Sequence, residues 1–144
     1  QQAATEMLRV CRPGGKIGLA NWTPEGFIGQ LFKTIGKYVP PASGVKSPAL
    51  WGTRAHLDAL FAGKSTVETQ SRHFSFRYKS PGHMLNVFRT YYGPVLKAFA
   101  AVDSGAHQSL EADILALIAK FNTAEDGTVV IRSEYLEVVI ITQC

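Results

Sequence analysis

The tripeptide Pro13-Gly14-Gly15 separates an amphipathic helical pattern from an apolar run of strand length, and it forces the chain to reverse there. Ahead of it, Ala4, Met7, Leu8 and Cys11 share one helical face. Proline cannot continue that helix, and glycine reaches the positive φ values that a sharp reversal needs. Behind it, residues 16–21 read as a buried strand. Helix, tight turn and buried strand make half of an α/β unit. The chain starts on this helix, with no methionine and no strand ahead of it, so it reads as a piece of something larger.

Further along, Thr23 as N-cap and Pro24 in the first turn predict a helix over 24–38, with Phe27, Ile28, Leu31, Phe32 and Ile35 on one face. Residues 39–50, rich in proline and glycine, read as a loop. Thr53 caps a short helix that Gly63 ends. Residues 66–78 read as a strand that places Phe74, Phe76 and Tyr78 on one face. Ser80-Pro81 opens a long helix to about Val102, whose inward set runs from Met84 through Leu96 to Phe99. Gly93-Pro94 should kink it or divide it in two. Another helix covers 105–122, and Asp126-Gly127 turns into a last strand, Tyr135 to Thr142. Its nearly unbroken apolar character predicts burial on both faces. The pattern is α/β, with three strands and about five helices.

With 144 residues, 46% of them hydrophobic, the chain can build one domain with a real core. Its net charge of +4 is scattered and forms no basic run, which argues against a nucleic-acid partner. No stretch is long and apolar enough to predict a membrane span. Cys11 and Cys144 make no disulfide framework, and a reducing cytoplasmic location is the default expectation. His56, His73, His83 and His107 are isolated, so no metal site is expected. No G-x-S-x-G occurs to support a hydrolase triad.

The segment Glu6-Met-Leu-Arg-Val-Cys-Arg-Pro-Gly-Gly-Lys-Ile-Gly-Leu-Ala-Asn21-Trp22 resembles the lead into the fifth strand of class I S-adenosylmethionine-dependent methyltransferases. The branch it looks most like is the ubiquinone/menaquinone-methyltransferase-like group, methyltransferase type 11. The resemblance covers nearly the whole chain but only the C-terminal half of that family's domain. It implies a partial Rossmann-like sheet in the order middle, last, first, with the last strand antiparallel. It also implies helical lid segments at about 24–62 and 81–122. The family's cofactor site lies in the other half, and no G-x-G-x-x-G follows a strand here. S-adenosylmethionine is therefore expected in the intact enzyme and not on this piece alone.

In open α/β sheets, ligands bind beyond the C-terminal strand ends. By resemblance, Asn21, Trp22 and Thr23 then face a small-molecule acceptor, and Phe27, Leu31, Trp51, Phe88, Tyr91 and Tyr92 line its pocket. Arg89, three residues before Tyr92, is a candidate for an acidic substrate group. The plainer reading makes Thr23 a helix cap and the aromatic stripes core. The first strand should keep a bare edge that seeks a partner: the missing half or a second copy. The rival reading is a self-contained α+β module that binds an apolar ligand or dimerises without catalysis.

Overall fold

The opening helix α1 (Gln2–Val10) ends at Cys11, whose N–H donates to the Met7 carbonyl at 3.2 Å. Gly14 takes φ 71° and turns the chain into β1 (Lys16–Trp22). The structure, a computed structural model, describes residues 1–143; Cys144 lies outside the described residues. After β1 come α2 (Phe27–Gly36), a 3-10 turn (Pro48–Gly52), α3 (Arg54–Phe61) and β2 (Ser65–Tyr78). Then follow α4 (Pro81–Tyr91), α5 (Gly93–Ala101), α6 (Ser104–Phe121) and β3 (Val129–Thr142). Among the described residues no helix is long and apolar enough to cross a membrane.

The three strands form one sheet in the order β1-β3-β2, with β3 antiparallel to both neighbours. This is the expected α/β arrangement: the last strand lies between the first and the middle one. Gly93-Pro94 divides the long helix outright, because proline at the start of α5 has no N–H to continue α4. Side-chain oxygens cap three helices: Thr53 for α3, Ser80 for α4 and Asp103 for α6. Each such cap contributes about 1 kcal/mol.

β3 is longer than its apolar run suggested, and its two ends bury opposite faces. Val129, Ile131 and Ser133 point into a core formed with α2, α4, α5 and α6. Val138 and Ile140 point the other way, into a second core with Ala4, Leu57, Leu60 and Phe61. The expectation of burial on both faces of this strand is therefore corrected. Val139 and Ile141, on the face away from the second core, stay only half-buried. Their neighbours across the ladder, Gly18 and Lys16 on β1, are exposed.

Other expectations change in detail. Cys11 is half-buried rather than a core residue, and its thiol is free. Leu96 points outward from α5, whose buried side is Val95, Ala98 and Phe99. Within the interval 24–62, α2 packs into the larger core and α3 under the opposite face of the sheet.

The turn before β3 is built by two polar side chains. The Asn122 Oδ1 accepts from Val130 N–H at 2.7 Å, and its Nδ2 donates to the Thr128 carbonyl at 2.9 Å. Asp126 accepts from the Thr128 hydroxyl at 2.6 Å and the Thr128 N–H at 3.0 Å, and these bonds hold its carboxyl below the usual carboxylate range. A depressed folded-state value stabilises the fold above the ordinary carboxylate range, and the contribution disappears as pH falls through the depressed value. Asp126→Asn should therefore lower the melting temperature at neutral pH, and the gap to the native chain should close on acidification, as thermal melts across pH will read.

Candidate functional site

The end of β1 is a tight corner tied to the middle of β3. Thr23 N–H donates to the Glu134 carbonyl at 3.3 Å, continuing the ladder one step past Trp22. Thr23 Oγ1 donates to the same carbonyl at 3.4 Å and accepts from Gly26 N–H at 3.2 Å. Thr23 thus makes the predicted cap-type bond, yet the regular helix α2 begins only at Phe27 with Gly26 as N-cap, and not at Thr23-Pro24 as the capping pattern predicted. Ser133, fully buried on β3, accepts from Ile28 N–H at 3.4 Å and so satisfies a free donor of the first turn.

Two glycines close on this corner from different elements. A side chain at Gly29 of α2 would overlap the Thr23 carbonyl oxygen and come within 2.6 Å of Pro24 Cα. A side chain at Gly52 would overlap the Trp22 carbonyl oxygen and come within 2.8 Å of Thr23 Cα. Sequence reasoning passed over both, since neither sits in a turn motif. Gly29, inside an oily helical pattern, was the detectable signal: an interior helix glycine costs about 1 kcal/mol unless packing requires it.

Trp22 leaves the corner on the side of the larger core and forms one wall of an aromatic cleft of about 270 Å³. Phe76 and Tyr78 of β2 supply the floor, and Val87, Phe88, Tyr91 and Tyr92 of α4 supply the opposite wall. The rings interlock: Trp22 to Phe76 at 5.8 Å, Phe76 to Phe88 at 5.8 Å and Phe88 to Tyr92 at 5.0 Å between centroids. Phe74 extends the mouth and is 52% exposed, and Tyr91 is 81% exposed. Burial pushes the Tyr92 phenol up from its ordinary value, so it remains a neutral donor at neutral pH.

Of the predicted site residues, the structure brings Trp22, Phe88, Tyr91 and Tyr92 together. Phe27 and Leu31 lie beneath, fully buried; Phe27 supports Phe88 edge-on and Phe76 at a tilt from below. Trp51 lies in the other core, against Phe61 and His56. Arg89 is turned aside: its guanidinium lies 4.4 Å from the Phe99 ring centroid, with a Glu111 oxygen 3.8 Å away. Thr23 is buried and structural. Asn21 faces away from Trp22, as alternate residues of a strand must, opposite Leu136. Its Nδ2 is enclosed and makes no hydrogen bond among the described residues. Ile28, Phe76, Tyr78 and Val87 complete the cleft and were missed; the alternation of Phe74, Phe76 and Tyr78 was visible, but not which wall they would meet.

Among the described residues no group of three His, Cys, Asp or Glu side chains could hold a metal ion. The His83 Nδ1 accepts from Lys79 N–H at 3.3 Å, which anchors the start of α4.

No family model matches the chain. It is similar to the uncharacterized protein Rv1405c of Mycobacterium tuberculosis, 36% identical over 141 residues, which cover 94% of this chain and 50% of the relative. It is also similar to the uncharacterized protein Rv1403c of the same organism, 34% identical with the same coverage. A Mycobacterium bovis protein, Mb1440c, matches at 36% identity. The chain spans about half the length of the curated relatives it matches.

Two substitutions test this geometry. Gly29→Ala should cost about 1–3 kcal/mol through overpacking and shift tryptophan emission, since Trp22 rides on the corner; chemical denaturation followed by fluorescence will read both. Asn21→Leu should stabilise the chain by about 1 kcal/mol, because it removes an enclosed donor without a partner, and the same denaturation series will show it.

Proposed function

We propose that this chain is the acceptor-side, C-terminal part of an S-adenosylmethionine-dependent small-molecule methyltransferase. The observation that carries the reading is the cleft at the C-terminal end of β1, roofed by helices inserted between β2 and an antiparallel last strand. Ligands of open α/β sheets sit at such strand ends. The length of the relatives supports it too, since half of each lies outside the match and leaves room for a cofactor-binding part.

The residues present do not fit S-adenosylmethionine itself. A phosphate- or cofactor-type cradle needs an open glycine turn between a strand and a helix. Here the turn from β1 to α2 is filled by the chain, with Gly29 closed on Thr23 and Pro24. This chain's own contribution is to bind the acceptor among the rings, exclude water and hold it at the sheet end, the positioning that methyl transfer chiefly demands. The open edge of β1 would pair with the preceding half, or with a second copy where that half is lacking. A cytoplasmic location suits the free thiol of Cys11.

A second reading has one observation in its favour: the chain completes two cores of its own. It is a self-contained α+β module that binds an apolar ligand or dimerises. Calorimetry separates the two. This chain alone should give no saturable heat with S-adenosylmethionine, and co-expression with the half of Rv1405c outside the match should give micromolar binding. Micromolar binding by this chain alone overturns the claim that the cofactor site lies in the other half, and no binding by the co-expressed pair overturns the methyltransferase reading.

A further inference from the structure

We infer that the cleft between Trp22 and α4 selects an uncharged, flat ring system bearing a hydrogen-bond-accepting oxygen, and that it rejects carboxylates. This rests on the acceptor-site reading only for its biological meaning; the binding chemistry stands on the cleft itself.

The walls are aromatic on three sides, and rings interact best with other rings in offset or edge-on geometry. A volume of about 270 Å³ lies just below the usual range of ligand cavities and limits an occupant to one or two fused rings. No lysine, arginine, aspartate or glutamate is among the lining residues. The nearest cation on α4, Arg89, is held by the face of Phe99 and by Glu111. An anion entering this cleft would lose its water and meet no cation, and neutral phenol donors alone do not offset that desolvation. The polar side-chain groups of the lining are the phenols of Tyr78, Tyr91 and Tyr92 and the indole N–H of Trp22. Tyr91 is mostly in solvent, so Tyr92 and Tyr78 are the donors that a buried ligand oxygen would meet.

The test uses the full chain with nitrogen-15-labelled indoles, which give one NMR signal for Trp22 and one for Trp51. Trp51→Phe assigns the two signals, or Trp22→Phe if that variant fails to fold. The probes are 1-naphthol, 1-methoxynaphthalene, 1-naphthoate and 1-decanol. 1-Naphthol should move the Trp22 signal saturably, with 1-naphthoate and 1-decanol at least about tenfold weaker. Tyr92→Phe should weaken 1-methoxynaphthalene, which can only accept, by about three- to tenfold. Val87→Lys should reverse the order and favour 1-naphthoate. Equal or tighter binding of 1-naphthoate or 1-decanol, or movement of Trp51 in place of Trp22, overturns the proposal. These readouts need no cofactor, so they succeed or fail independently of methyl transfer.

Discussion

The corner from Trp22 to Ile28 is the constraint on which the rest of the structure depends. Thr23 holds the Glu134 carbonyl, and Ser133 holds the first turn of α2 through Ile28 N–H. Gly29 and Gly52 let a helix and a 3-10 turn close directly on the backbone of the same three residues. The strand end therefore has no freedom to wander, and Trp22 can serve as a wall. A cleft built on a loose loop would have to order its aromatic rings on binding, at an entropic cost that this corner has already met during folding.

The aromatic cleft also shows why the charge on a helix is a poor guide to the charge in a pocket. Arg89 is one residue from Phe88 in sequence and three from Tyr92, yet its guanidinium lies over Phe99. Stacking on a ring face and proximity to Glu111 together satisfy it on the far side of α4. What remains facing Trp22 is hydrocarbon and phenol. The chemical character of the site thus follows from where one long side chain finds its partners.

Much of the architecture was legible because local signals agreed with one another. Pro13-Gly14-Gly15, Ser80-Pro81 and Gly93-Pro94 each mark a boundary that the structure keeps. The strand order was legible only through resemblance, since periodicity carries no information about neighbours. The start of α2 lies one turn later than the capping pattern predicts: Thr23 makes the cap-type bond to Gly26 N–H while its own N–H closes the ladder to Glu134, but Pro24 to Gly26 do not take up regular helix. The apolar run at 136–141 spoke of two covered faces, and only one is covered. For the site, Trp22, Phe88, Tyr91 and Tyr92 could be named from sequence. Trp51 could not be excluded, because nothing local says on which side of the sheet a residue after a long loop will fall.

β3 serves one layer of helices with its first half and a different layer, beneath the sheet, with its second. A slip of one residue in its pairing would turn Ile131 and Ile140 outward at the same stroke. The alignment of this strand is thereby guarded from both ends, and neither layer can melt without loosening the backbone that the other leans on. The ring-lined recess above and the helical base below are mechanically a single object, although they share almost no side chains.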